Sequence, residues 1–204
     1  MNLIKELIKE GWLKSKKIIQ AFENIRREDF VIDKSLADID SALPIGYDQT
    51  ISQPLVVAFM LEKLDPAPGE KILDVGSGSG WTTALLSHIV GQKGRVVGLE
   101  IIKELKEFGE KNVSKYNFIN KGITEFHLTD GRKGWKEEAP YDKILCSAEA
   151  KELPSKLKKQ LKVGGRIVIP IEDSICVFDK ISDKEFLKKC YPGFVFVPLV
   201  KGKC

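Results

Sequence analysis

Asp74 and the glycines behind it are the residues best placed to do chemistry. Lys71 to Leu86 read K-I-L-D-V-G-S-G-S-G-W-T-T-A-L-L, an apolar strand that runs into three alternating glycines and then into an apolar helix. Gly76, Gly78 and Gly80, with Ser77 between them, permit a tight reversal and a close backbone approach, and the helix start presents free N–H groups to a ligand. A dinucleotide fingerprint reads G-x-G-x-x-G and seats a pyrophosphate on the helix N-terminus. This loop reads D-x-G-x-G-x-G instead, and a carboxylate at Asp74 would repel phosphate. It suits a ligand with an ammonium or sulfonium group. The next apolar run, Arg95 to Glu100 (R-V-V-G-L-E), ends in an acid placed to grip a ribose diol, with charge-assisted hydrogen bonds contributing roughly 1.5–3 kcal/mol.

The elements that must position these residues alternate along the chain. The pattern predicts short amphipathic helices over 3–10 and 15–24, a less regular stretch over 26–49, and an apolar helix from Pro54 to about Leu64. Strands over 71–75, 95–100, 125–129, 142–147 and 166–171 and helices over 80–90, 102–116 and 154–161 follow, with further strands expected over 175–181 and 194–200. Strands alternating with helices imply an α/β fold, a mostly parallel central sheet with helices on both faces, a late antiparallel hairpin and an N-terminal helical extension. In such a sheet the ligand sits beyond the carboxyl ends of the strands. Asp74, Glu100, Asp130 and residues 146–150 all fall at such ends. The irregular stretch is long for a structureless segment, a property of binding loops and lids.

The Asp74 loop and Glu100 together resemble motifs I and II of class I S-adenosylmethionine-dependent methyltransferases, with their Rossmann-like fold. Leu43 to Pro54 reads L-P-I-G-Y-D-Q-T-I-S-Q-P. With T-D-G-R-K-G-W-K-E-E-A-P-Y-D (129–142), L-K-K-Q-L-K-V-G-G-R-I-V-I-P (157–170) and F-V-P-L (196–199), it resembles the protein-L-isoaspartate O-methyltransferase family along nearly the whole chain. The resemblance implies S-adenosyl-L-methionine as cofactor and esterification of the free α-carboxyl of isoaspartyl residues in damaged proteins and peptides, the first step of their repair. It assigns the methionine end of the cofactor to Asp74 and Gly76–Gly80, the ribose to Glu100, and the adenine edge to Asp130 and Gly131. It further implies that Gln49, Thr50, Ile51 and Ser52 lie next to the methyl group, with Ser52 as the catalytic residue.

Each assignment has a plainer reading. A serine just ahead of a helix-start proline is a good N-cap, Asp130 in T-D-G-R suits a turn, and Trp81 and Trp135 serve packing as readily as adenine stacking. Three substrate-side segments depart from the family pattern: Asp48, Cys146–Ala150, which sets Glu149 at the mouth of the substrate crevice, and Glu172–Cys176.

Length and charge bound the remainder. The 204 residues suit one domain, with 1–54 as helices and substrate lid and 55–204 as cofactor core. Against 29 acidic residues stand 33 basic ones, for a net charge of +4, and the charges are interspersed, so no nucleic-acid partner is required. A nucleic-acid methyltransferase on the same fold is disfavoured further because Ile144–Ala148 lacks an [ND]-P-P-[YFW] block. A cofactor-binding homologue without catalysis is the other alternative. Cys146, Cys176, Cys190 and Cys204 show no C-x-x-C spacing, so thiols rather than a metal site are expected. No run is apolar enough to span a bilayer and Met1–Trp12 lacks a signal-peptide core; the expectation is a soluble, cytoplasmic monomer without membrane association.

Overall fold

Strands 71–75 and 95–100 are nearly continuous apolar runs because both of their faces are covered, the condition of a parallel sheet under helices. The structure is a computed structural model and describes residues 3–201. In it Lys71–Val75 (β3), Arg95–Glu100 (β4), Thr124–Leu128 (β5) and Tyr141–Cys146 (β6) pair in parallel, and β6 pairs in parallel with Leu161–Ile171 (β7). Ser174–Lys180 (β8) and Phe186–Pro192 (β9) add two antiparallel strands, completing a seven-stranded order of β5-β4-β3-β6-β7-β8-β9. Helices Trp81–Val90 (α4), Lys103–Ser114 (α5) and Ser155–Gln160 (α6) connect the parallel strands. One buried cluster joins α4 and Pro54–Leu64 (α3) to the N-terminal helices Leu3–Lys9 (α1) and Lys16–Asn24 (α2). The other lies between the sheet and α6.

The sheet order reverses between β3 and β6: β4 and β5 continue to one side, β7 to β9 to the other. That reversal opens a crevice at the strand ends. Above it sits a separate two-stranded hairpin, Leu43–Gly46 (β1) and Gln49–Ile51 (β2), whose first strand and turn fall in the 26–49 stretch expected to be irregular. Its turn residues Tyr47 and Asp48 both have φ of 56°, the left-handed pair that suits a two-residue hairpin. Glu172 and Asp173, at 47° and 55°, do the same between β7 and β8. Asp48, Glu172 and Asp173 are therefore turn residues, chosen for backbone conformation.

Two expectations fail. The last strand is 186–192, while 194–200 is irregular apart from a bridge at Pro198. Strand β9 lies on an exposed edge, so F-L-K-K-C-Y-P shows no apolar alternation, whereas the apolar residues of 194–200 fold back over the strand ends. The cysteines also do not all stay as thiols. Cys176 and Cys190 face each other across β8 and β9 and form a disulfide, a partnership set by strand register and invisible in their spacing. Cys146 is a buried free thiol, and Cys204 lies outside the described residues. Among those residues no helix is long and apolar enough to cross a membrane.

Candidate active site

The glycine loop leaves β3 with Gly76 and Ser77 donating to the Leu99 carbonyl at 2.9 and 3.0 Å, which locks the loop to the end of β4. Gly80 starts α4 with φ of +86°, and a Cβ there would meet the Gly109 carbonyl at 2.8 Å. A Cβ on Gly109 would in turn lie 2.7 Å from the Gly78 carbonyl. Two glycines distant in sequence thus let α5 rest on the loop backbone, a contact any side chain would force apart.

Glu100 closes the ribose side. Its Oε2 accepts from Gly78 N–H at 2.9 Å, and its Oε1 accepts from Ile101 and Ile102 N–H at 2.7 and 3.0 Å. Three of about four lone-pair positions are filled by rigid backbone donors, leaving one on Oε2 for a hydroxyl. Asp74 sits deeper and is fully buried. Its Oδ2 accepts from the hydroxyls of Thr82 and Thr83 at 2.9 and 2.6 Å, while Oδ1 has no partner among the described residues. Burial pushes its carboxyl up to about 6, the hydroxyl bonds oppose this, and the Glu100 charge adds to it. Asp130 accepts from Arg132 N–H at 3.0 Å and takes the Arg132 guanidinium at 3.0 Å (Nε) and 2.6 Å (Nη2).

The glycine loop and Glu100 border a cleft at the strand ends. Its floor is Gly76–Ser79 with Glu100, Gly131, Ser147 and Ala148; the hairpin side supplies Ile45, Gln49, Thr50, Ile51 and Ser52; the third wall is Val197–Val200. The structure thus brings together the expected site residues except Asp74, Gly80 and Asp130, which do not line the cleft. The cleft fits a sulfonium nucleoside. Aliphatic Leu99, Ile101, Ile102 and Leu199 offer faces for a base, and the buried Ser77 hydroxyl and Asp74 Oδ1 have no partner among the described residues, as at a site completed by a polar ligand.

Several sequence readings resolve here. Ser52 is not the N-cap of α3: that position is Gln53, and the cap bond comes from Asp40, whose Oδ1 accepts from Leu55 N–H at 2.9 Å. Trp81 lines the cleft and packs on Phe22 at 5.5 Å, whereas Trp135 stacks on His127 at 3.8 Å, outside it. Glu149 is not in the cleft wall. Its N–H donates to the Val197 carbonyl at 2.8 Å and its carbonyl accepts from Leu199 N–H at 2.7 Å, so its main chain carries the 197–199 wall. Asp40, Gly109 and Arg27, described below, had no signal in the sequence because their partners are 10 to 31 positions away.

Known proteins agree with this geometry. The family model for protein-L-isoaspartate(D-aspartate) O-methyltransferase matches residues 1–204. The protein-L-isoaspartate O-methyltransferase of Methanopyrus kandleri is 39% identical over 205 residues, spanning 98% of this chain and 90% of its own. That of Pyrobaculum islandicum is 39% identical over 204 residues, 98% of each. A Plasmodium falciparum structure assigned as a protein-L-isoaspartate O-methyltransferase, in complex with S-adenosyl-L-homocysteine, matches with a TM-score of 0.89 at 25% identity over 97% of this chain and 96% of its own. A glycine loop locked to an acid-tipped strand, a hairpin bearing Q-T-I-S over it, and full-length matches at this level place the chain in the protein-L-isoaspartate(D-aspartate) O-methyltransferase family.

Proposed function

We infer that this chain catalyses S-adenosylmethionine-dependent methyl transfer to the free α-carboxyl of isoaspartyl residues in proteins and peptides. The observation that carries the reading is the meeting of Ser52 and its hairpin neighbours with the Glu100 and glycine-loop side in one cleft. S-Adenosylmethionine supplies, when bound, an electrophilic sulfonium methyl. The chain's own work is positional. An α-carboxylate with an ordinary pKa near 3.5 is already ionised at neutral pH, so no general base is needed. The Ser52 hydroxyl would donate to one carboxylate oxygen and leave the other free to take the methyl, which the cofactor would give up with the C–S electron pair kept on sulfur and no proton moved. Gly78 and Glu100 hold the nucleoside end, and Ile45, whose Cδ1 would lie 3.3 Å from a Cβ on Gly78, covers the loop and keeps water off. Opposite charges disappear in this step, so a dry cleft favours it.

Asp74 and Asp130 support the cofactor from behind the wall, Asp74 by its charge and Asp130 by shaping the turn at Gly131. One chain supplies all three walls, which supports a monomeric catalyst: a single domain, 1–54 forming the substrate side and 55–204 the cofactor core, at work in the cytoplasm on the cell's own ageing proteins. The test is turnover of S-adenosylmethionine with an isoaspartyl peptide beside its normal aspartyl twin. Methyl ester formed on the first alone is expected; none on either, with S-adenosylhomocysteine still bound, would leave a cofactor-binding protein without this activity.

A further inference from the structure

Among the described residues that wall the cleft, the one charged side chain is Glu100, an acid, although the reading above requires an anion to settle beside Ser52. Behind Ser52 lies a cation. Arg27, in a 3-10 turn after α2, is only 7% exposed. Its Nη1 donates to the carbonyls of Ala37 and Ile39, both at 3.0 Å; its Nη2 donates to Ser41 at 2.7 Å and to Ser52 at 3.3 Å. We propose that Arg27 is a positioning residue for the methyl transfer, its guanidinium fastening four carbonyls of the 37–52 segment so that the Ser52 hydroxyl is held toward the cleft. The proposal rests on the carboxyl methyltransferase reading above.

The segment needs such a fastening. Hairpin β1–β2 pairs with no strand of the central sheet, and an isolated two-stranded hairpin is at best marginally stable. Residues 37–42 before it form no regular element. Arg27 gathers alternate carbonyls of that stretch and then reaches the far end of the hairpin at Ser52. Asp40 secures the same end from the other direction, through Leu55 N–H and through Gln53 Nε2 at 3.1 Å. The guanidinium also lies 5.3 Å from the centre of the Trp81 ring, which itself lines the cleft. Burial lowers the Arg27 pKa to about 10, with Asp40 and Asp38 opposing, so the charge persists at neutral pH. A lysine would keep a charge but cannot reach four carbonyls from one planar fork.

The experiment compares wild type, Arg27→Lys, Ser52→Ala and the double variant on an isoaspartyl peptide, with S-adenosylhomocysteine affinity measured by calorimetry. Arg27→Lys is expected to lower kcat by up to about 30-fold, the loss expected from removing the Ser52 hydroxyl outright, while that affinity stays unchanged. In the Ser52→Ala background the Arg27→Lys loss should vanish, because both act through one hydroxyl. Losses that multiply, an affinity that falls with kcat, or an unaltered kcat would each overturn the proposal while leaving the wild-type activity standing. A wild type inactive on the isoaspartyl peptide would remove the activity, and Arg27's role with it. If Arg27→Lys does not fold, the same cycle with Asp40→Asn decides: a kcat loss that is absent in the Ser52→Ala background is expected, and multiplying losses overturn it.

Discussion

On the 76–102 side of the cleft the polar contacts run through backbone amides at strand ends, whereas on the 37–52 side they run from side chains remote in sequence. Gly76, Ser77, Gly78, Ile101 and Ile102 all use main-chain N–H groups. Arg27 and Asp40 use a guanidinium and a carboxylate instead. The first construction inherits the rigidity of the sheet, and the second depends on two side chains keeping their rotamers. Ligand affinity should therefore reside in the first wall and turnover in the second.

The hardest test of that division is Glu100→Ala. It removes a carboxylate that organises three amides and offers a lone pair to a hydroxyl, so binding of S-adenosylhomocysteine should weaken by about 3 kcal/mol, roughly 150-fold. Calorimetry with unchanged affinity would erase the comparison. Next, Ser52→Ala should lower kcat by about 2 kcal/mol, roughly 30-fold, with affinity untouched. Its stability should also be untouched, since Ser52 is not the cap. Asp40→Ala should instead lose about 1 kcal/mol in a denaturant titration; the reverse pattern would return the cap to Ser52.

Acidity probes the charge beneath the loop. Asp74 is raised to about 6 in the folded chain, above an unfolded value near 3.9, so the native state binds the extra proton between these values. Stability of the ligand-free protein from this group is fully present below about pH 4 and is lost as pH rises to about 6. Affinity for cationic S-adenosylmethionine runs the other way, constant above pH 6 and falling by up to about tenfold per unit below it. An Asp74→Asn variant with the same acid limb would assign that limb elsewhere. The smallest effect belongs to Glu149→Gln. Because Glu149 supports the wall through its main chain, acidic and basic isoaspartyl peptides should keep their ratio of kcat/KM, and a selective gain for the acidic peptide would bring the carboxylate back to the cleft mouth.

How much could be read in advance follows the same division. The Asp74 loop, Glu100 and the parallel core were legible because each needs consecutive residues with a local period: a buried strand, a glycine turn, a helix. Even there, Asp74 proved to lie behind the wall, since the pattern gives the strand end and not the side-chain direction. The 194–200 segment misled because apolar residues on a short fold-back resemble a strand, while β9 at the edge keeps Lys188 and Lys189 facing solvent. Arg27 reads as one more basic residue beside Arg26 and Glu28. Its meaning lies in carbonyls 10 to 25 positions away, and a carbonyl has no letter of its own.

The Cys176–Cys190 bridge spans 14 positions, and by the chain-entropy account a loop of that size removes freedom from the unfolded polypeptide worth about 3 kcal/mol. Its position directs that gain. Among the described residues strand β9 has a partner on one side only, and the chain leaves it through Gly193 and Phe194, whose N–H groups donate to the Asp173 carbonyl at 2.9 and 3.0 Å. From that post the chain travels straight to Val197–Val200 on the cleft. The covalent cross-link thus acts as a moored end for a tether: the segment that leads to the third wall departs from a strand fixed to β8 by a bond as well as by its ladder.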